Sequence, residues 1–168
     1  MAKIAWGKKV SKDFKAKVIA ICDMLGCDPS HLMSAMAFET GESFSPTIQN
    51  GKSGATGLIQ FMPNTAKGLG TSIDKLLAMT AEEQLDVVER HLKPFKNRMK
   101  SLSDVYMTIL LPSAVGKPEA KALFVSPAKA YVQNKGLDVN KDGIVTKGEA
   151  ASKVQLKLNR GLSTTFCG

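Results

Sequence analysis

Long hydrophobic runs are absent from this sequence of 168 residues. No stretch approaches the roughly 20 apolar residues that a membrane-spanning helix requires, so the sequence predicts no transmembrane segment. The first ten residues, MAKIAWGKKV, place only four uncharged residues between lysines and therefore contain no signal-peptide core. We expect synthesis in a cytoplasm without a signal peptide, and export by another route if the protein acts elsewhere.

Cysteine is scarce, and the three residues Cys22, Cys27 and Cys167 cannot all pair within one chain. This odd, low count argues against a disulfide framework. A zinc site built from Cys22, Cys27 and His31 has no evident fourth ligand. Because Cys22 also falls on the apolar face of a predicted helix, buried thiols are the better interpretation.

Acidic residues are fewer than basic ones, 15 against 23, which gives a formal net charge of +8. Such a surface attracts an anionic partner: nucleic acid, a phospholipid face or an anionic cell-wall polymer. Solubility alone is the other explanation. The lysines are spread along the chain and no nucleic-acid-binding module is recognisable, so we predict no nucleic acid partner.

Convincing strand patterns are also missing, whereas apolar residues recur at helical spacing. The class is therefore all-α, or mostly α with a small hairpin. The predicted helices cover about 11–25, Pro29 to just before Gly41, a short segment from Pro63, a segment from the capping box at Thr80, about 103–111, about 118–135 with a break at Pro127 left open, and about 147–160.

Two glutamates stand close together in the stretch AFETGESFSP, residues 37–46. Glu39 lies in the last turn of a predicted helix, where its charge opposes the helix dipole, and it follows apolar residues that could raise its pKa. Gly41 ends the helix, which places Glu42 in the following loop. Glu39 is thus the better candidate for a proton donor, and the alternative is that both are solvated helix-end charges.

Residues 138–149 read DVNKDGIVTKGE and match the EF-hand loop at its diagnostic positions. Gly143 permits the sharp turn of such a loop. We predict a bound Ca²⁺ with a structural role, the alternative being a turn rich in Asp and Asn without metal. The candidate ligands are Asp138, Asn140, Asp142, the carbonyl of Ile144, Thr146 directly or through water, and Glu149.

Residues 36–66 combine Glu39-Thr40 at a helix end, a loop with Pro46, and GATGLIQFMPNTA at 54–66. This combination resembles the motifs of lytic transglycosylases with the goose-type-lysozyme-like fold, and above all their phage-encoded members. The resemblance implies a mainly α, lysozyme-like single domain over 1–168 with an embedded EF-hand-like loop. It also implies cleavage of the MurNAc–GlcNAc β-1,4 bond of peptidoglycan with 1,6-anhydro-MurNAc ends.

One feature of the sequence agrees with that chemistry, because residues 43–73 contain no Asp or Glu. Most glycosidases need a second carboxylate. A transglycosylase does not, since the C6 hydroxyl of the sugar attacks and Glu39 acts first as acid and then as base. A hydrolytic muramidase using Glu42, Asp74 or another distant carboxylate is the first alternative. A non-catalytic calcium-binding module with a lysozyme-like shell is the second.

The resemblance also implies residues that contact the glycan, and each has a plainer structural reading. Gln60 either bonds a sugar in the cleft or is a backbone-bonded core glutamine. A third family motif is met in part at 130–136, so Tyr131 either holds Glu39 or a sugar oxygen, or is a half-buried aromatic. The implied substrate-binding set is Gln60, Tyr131, Glu42 at the rim, Phe61, Met62 and Asn134.

The partners implied by the resemblance are peptidoglycan glycan strands and phage virion or tail proteins. We expect a monomer that acts in the periplasm or cell wall. It would act there either as an endolysin released at host lysis or as a tail-associated lysin carried by the virion.

Overall fold

The computed structural model describes residues 2–168, which form eight helices and two short strands. A single 3₁₀ turn precedes the first helix, and three more lie between later elements. In chain order the elements are α1 (Lys12–Leu25), α2 (Pro29–Glu39), α3 (Pro63–Gly68), α4 (Ile73–Leu77), α5 (Ala81–Leu92), α6 (Leu102–Leu110), β1 (Ala122–Val125), α7 (Lys129–Asn134), β2 (Ile144–Thr146) and α8 (Lys147–Gly161).

Side-chain caps fix where the predicted helices begin. The Ser11 hydroxyl accepts a hydrogen bond from the Phe14 N–H at the start of α1, and Asp28 caps α2 with Pro29 in its first position. Thr80 and Glu83 form a reciprocal capping box at α5. The mainly helical class and the starts of these helices are confirmed.

Helix α2 runs through the middle of the core. Its residues from Leu32 to Ala37 are all buried, and α8 and α6 pack against it. Trp6 is fully buried, and its indole N–H donates to the Lys157 carbonyl at 3.0 Å, which ties the N-terminal segment to α8. The carboxyl end of α2 therefore emerges from a rigid centre.

The predicted helix over 118–135 is wrong for the residues before Pro127. Residues Ala122–Val125 form β1, which pairs antiparallel with β2 through Phe124 opposite Val145 and Val125 opposite Ile144. Only Lys129–Asn134 is helical, after the break at Pro127. Because α7 lies between the strands along the chain, the pairing is long-range, and it overrides the local helical pattern. None of the helices in the described part of the chain is long and apolar enough to cross a bilayer.

Candidate active site

Glu39 is the last residue of α2, and the backbone after it is fixed by Thr40. The buried Thr40 hydroxyl donates to the Met36 carbonyl at 2.8 Å and accepts from the Phe44 N–H at 2.9 Å. Gly41 then adopts a left-handed φ of 59°, which turns the chain away from the helix axis. The carboxyl group of Glu39 is thus presented at a defined helix end.

A pocket of about 340 Å³ lies at this helix end. Glu39 is the single carboxylate among the described residues that line it. The lining consists of Phe38, Glu39, Tyr106, Leu110, Gln133, Asn134, Gly136, Leu137 and Lys153.

Burial raises the pKa of Glu39 from its ordinary value of 4.5 to about 7. A group with such a pKa carries its proton in a large fraction of molecules at neutral pH. It can therefore donate a proton to a substrate and afterwards accept one.

Tyr106 on α6 lines the same pocket as Glu39 and was not singled out from the sequence. Its side chain is buried and its ring meets that of Phe38 edge-on, with the centroids 5.7 Å apart. Burial, and then the charge of Glu39, raise the pKa of the Tyr106 hydroxyl. The phenol therefore keeps its proton and can donate a hydrogen bond beside the carboxyl group.

Tyr131, for which a contact with Glu39 or a sugar oxygen was one of two expectations, does not line the Glu39 pocket. Its hydroxyl donates to Asp138 Oδ2 at 2.8 Å, in the predicted metal loop. A contact of Tyr131 with Glu39 is therefore not seen, whereas its half-buried position agrees with the plainer structural reading. Tyr106 is the tyrosine that lines the Glu39 pocket. The chain has only two tyrosines, and Tyr106 stands in a predicted helix. With Tyr131 placed elsewhere, Tyr106 is the one that remains, and this count was the only signal in the sequence that could have indicated it. Asn134 does line the pocket, and its amide donates to the Ala130 carbonyl at 2.9 Å.

Glu42 is not part of the lining of the Glu39 pocket. Its carboxylate accepts hydrogen bonds from Lys157 and from Arg160 Nε, both on α8. These bonds, with that of Lys157 first, hold the pKa of Glu42 below its ordinary range despite partial burial. Glu42 therefore ties the loop after α2 to α8, and its ionised state makes it a poor proton donor.

The segment 54–66 makes a tight turn that depends on a glycine. Thr56 and Phe61 exchange backbone hydrogen bonds of 3.0 and 2.8 Å across it. Gly57 has a φ of 82°, and a Cβ there would lie 2.1 Å from Oε1 of Gln84. That buried Gln84 oxygen accepts from the Leu58 N–H at 2.8 Å. Gln84 is a supporting residue that sequence reasoning missed, because it is distant along the chain.

Gln60, Phe61 and Met62 lie in a second, smaller pocket of about 50 Å³, together with Ile59, Thr65, His91 and Ile109. The Gln60 amide donates to the carbonyls of Ile48 and Gly57 at 3.2 and 3.0 Å. Phe61 is buried and Met62 is 45% exposed. The structure thus separates these residues from the lining of the Glu39 pocket. The end of α6 contributes neighbouring residues, Ile109 and Leu110, to the two pockets.

Comparison with known protein families adds to this geometry. The family profile described as "Transglycosylase SLT domain" matches residues 18–106, more than half of the chain. The chain belongs to the transglycosylase SLT domain family. The protein is accordingly an enzyme, a peptidoglycan lytic transglycosylase, and its substrate is a polymer of the bacterial cell wall. No curated protein matches the chain.

The candidate metal-binding loop of this transglycosylase, residues 138–149, lies outside the matched range. Asp138, Asp142 and Glu149 each bring a carboxylate oxygen within 4.8 Å of the others. Asp138 is 6% exposed, and within the described residues its buried Oδ1 has no hydrogen-bond partner. An unpartnered buried oxygen in a cluster of three carboxylates fits the ligand set of a metal ion.

The remaining predicted ligands occupy the same loop. Asn140 Oδ1 accepts from the Asp142 N–H, and the Thr146 hydroxyl donates to Glu149 Oε1 at 3.1 Å while capping α8. Gly143 adopts a φ of 86° and its N–H donates to Asp138 Oδ2, as the sharp turn requires. Ile144, whose backbone carbonyl is one of the predicted ligands, is the first residue of β2.

Proposed function

We propose that this transglycosylase cleaves the β-1,4 bond between MurNAc and GlcNAc with Glu39 as its one acid–base residue, and that the product carries a 1,6-anhydro-MurNAc end. The observation that carries the proposal is that the pocket lining contains Glu39, with its raised pKa, and no second carboxylate among the described residues.

In the first step the protonated Glu39 donates its proton to the glycosidic oxygen, and the C1–O bond of MurNAc breaks. In the second step the Glu39 carboxylate accepts the proton of the MurNAc C6 hydroxyl, and that oxygen bonds to C1. Tyr106 acts as a positioning residue, because a neutral phenol beside Glu39 can hold the carboxylate by a hydrogen bond.

A hydrolase at the same site would need a second carboxylate within about 5–9.5 Å of the first. Glu42 is held by Lys157 and Arg160, and Asp74, on α4, does not line the pocket. These contacts favour transfer to the C6 hydroxyl over hydrolysis. A purely structural module is disfavoured because it gives no reason to keep a half-buried carboxyl group with a raised pKa in an open pocket.

For the glycan strand we propose a path from the Glu39 pocket, past the end of α6, to the pocket of Gln60 and Met62. Asn134 on one side and the exposed Met62 on the other would contact sugars, whereas the buried Phe61 shapes the floor. Glu42 would lie behind this path and support the loop that follows α2.

We further propose that the loop 138–149 holds Ca²⁺. All of its candidate ligands offer oxygen, which this hard cation prefers. The ligands would be Asp138, Asn140, Asp142, the Ile144 carbonyl, Thr146 and Glu149. The ion would offset two of the three negative charges of the carboxylates and cross-link the loop to α8, which stabilises the folded state.

As biological setting we propose a phage enzyme that acts as a monomer in the periplasm or cell wall of the host. It would serve either in host lysis or as a tail-associated lysin. The formal charge of +8 supports attraction to an anionic wall.

The test compares wild type, Glu39→Gln and Glu42→Gln on purified peptidoglycan, with the release of soluble muropeptides as the measurement. Glu39→Gln keeps the shape of the side chain but cannot donate a proton, so release should stop. Glu42→Gln should lower the melting temperature and retain turnover. Loss of release with Glu42→Gln and retention with Glu39→Gln would contradict the assignment.

A further inference from the structure

One side of the Glu39 pocket is formed by the chain segment that leads directly into the metal loop. Residues 133–137, called here the wall segment, contribute Gln133, Asn134, Gly136 and Leu137 to the lining. The next residue is Asp138, the first candidate ligand of the loop. A displacement of Asp138 therefore also displaces the residue beside it in the wall.

Helix α8 holds the wall segment through Lys153. The Lys153 ammonium group donates to the Gly136 carbonyl at 2.7 Å, and the same side chain lines the pocket. Glu149, the last candidate ligand of the loop, lies one helical turn earlier on α8. Residues four apart in a helix share one face, so Lys153, which binds the wall segment, and the candidate ligand Glu149 are neighbours.

The loop end of the wall segment depends on the charge balance among the carboxylates. Asp138 is 6% exposed, one of its oxygens accepts from Tyr131, and the other has no hydrogen-bond partner within residues 2–168. Glu149 Oε2 accepts from the N–H of Val139, the residue after Asp138. Three carboxylates within 4.8 Å repel one another, and a divalent cation reverses that repulsion.

We propose that the cation in the loop positions the wall segment for glycan binding, with Lys153 as the positioning residue that transmits the effect. The inference rests on the proposed calcium site. Metal and glycan then bind with positive cooperativity, and by linkage each strengthens the other by the same factor. A loop that only stabilised the fold would raise the melting temperature and leave the glycan affinity unchanged.

The first experiment uses the full chain carrying Glu39→Gln, which binds substrate without cleaving it. Titration calorimetry measures the affinity for a MurNAc–GlcNAc tetrasaccharide in CaCl₂ and after removal of calcium with a chelator, well below the melting temperature. We expect at least a fivefold tighter glycan affinity with calcium, within the usual range of such couplings. Calcium should also bind tighter, by the same factor, in the presence of the tetrasaccharide.

Three results would overturn the inference and are distinguishable. Calcium that binds with its own heat but leaves the glycan affinity unchanged would refute the coupling alone. Absence of calcium binding would refute the proposed metal site and the coupling with it. Absence of glycan binding in both buffers would refute the proposed substrate pocket.

Variants of Lys153 test the transmission. Lys153→Met keeps most of the aliphatic stem and removes the donor to Gly136, so we expect KM for soluble glycan strands to rise at least fivefold with kcat nearly unchanged. In the Glu39→Gln background it should also abolish the response of glycan affinity to calcium. Lys153→Arg should restore both. Lys75→Met, an exposed lysine on α4, is the control and should match wild type. An unchanged KM and an intact calcium response in Lys153→Met would overturn the role of Lys153.

Discussion

Tyr106 and Glu39 line the same pocket although different helices carry them, and the charge of Glu39 contributes to the raised pKa of the Tyr106 hydroxyl. A hydrogen bond from a phenol to a charged group contributes about 1.5–3 kcal/mol, which corresponds to roughly a 10- to 150-fold change in rate. The relationship therefore predicts a measurable contribution of Tyr106 to turnover.

Tyr106→Phe should lower kcat on purified peptidoglycan by about 10- to 100-fold, because the variant lacks the hydroxyl donor beside Glu39. The fold should persist, since the ring still packs edge-on against Phe38. Tyr131→Phe is the matched control, and in saturating calcium it should keep near-normal kcat while binding calcium more weakly. A large loss of kcat in Tyr131→Phe and a near-normal kcat in Tyr106→Phe would show that Tyr131, and not Tyr106, acts beside Glu39.

The raised pKa of Glu39 predicts a pH dependence of activity and stability. Activity should fall as pH rises through about 7, because the proton donor is lost. A raised carboxyl pKa stabilises the fold below about 4.5, and that contribution is lost between there and about 7. Glu39→Gln lacks this titration, so its free energy of unfolding should exceed that of wild type at pH 8. Coincident urea denaturation curves of the two proteins at pH 8 would contradict the raised pKa.

Removal of one partner from the buried ion pair between Lys147 and Asp104 is expected to destabilise the fold strongly. The side chains are 2% and 6% exposed, and Lys147 Nζ lies 2.6 Å from Asp104 Oδ1. Burial opposes ionisation of Asp104, but hydrogen bonds from Lys147 and Gly116 keep its pKa below the ordinary range. Lys147→Met should therefore cost about 3–5 kcal/mol of unfolding free energy, by leaving a buried charge without its partner.

The exposed pair between Lys17 and Asp86, with a separation of 2.8 Å, provides the control for that measurement. Lys17→Met should cost less than about 1 kcal/mol, because solvent screens the pair. Chemical denaturation of Lys147→Met and Lys17→Met measures the loss of unfolding free energy in each variant. Equal small losses would show that the buried pair gives no special stabilisation.

Gly57→Ala should destabilise the turn that presents Gln60. The left-handed φ of 82° and the contact with Gln84 together should cost about 2–4 kcal/mol. Gly51→Ala is the control, since no atom lies within 4 Å of its added Cβ and its φ is ordinary. Thermal melting of the two variants measures the difference, and similar melting temperatures would contradict the steric argument.

Removal of calcium should lower the melting temperature. A ligand at 100 times its Kd stabilises the folded state by about 2.7 kcal/mol, which for a chain of this size is a shift of roughly 5–10 °C. Asp138→Asn removes one charged ligand and should make the melting temperature insensitive to chelator. A wild-type melting curve that is identical with and without chelator would show that the loop carries no metal.

Local sequence signals were sufficient for features that depend on local physics. Caps such as Ser11 and Asp28 mark helix starts because their side chains bond N–H groups two or three residues away. Glu39 could be placed at a helix end for the same reason, since Gly41 follows within two residues. The loop 138–149 likewise supplies its candidate ligands from twelve consecutive residues.

Long-range contacts account for what the sequence did not predict. Strand β1 exists because Phe124 pairs with Val145, and no local sequence pattern near Phe124 predicts this pairing. Tyr106 reaches Glu39 only through the packing of α6 on α2, and Glu42 is bound by cations from α8. Such contacts need the fold itself, because residues far apart in sequence meet through it.

The chemical form of the released muropeptides tests the central proposal most directly. Wild-type enzyme is incubated with purified peptidoglycan in water enriched in ¹⁸O, and the products are identified by mass spectrometry. The account predicts 1,6-anhydro-MurNAc ends without incorporated ¹⁸O, and no such products from Glu39→Gln. Reducing MurNAc ends that carry ¹⁸O would show that water attacks, and they would contradict it.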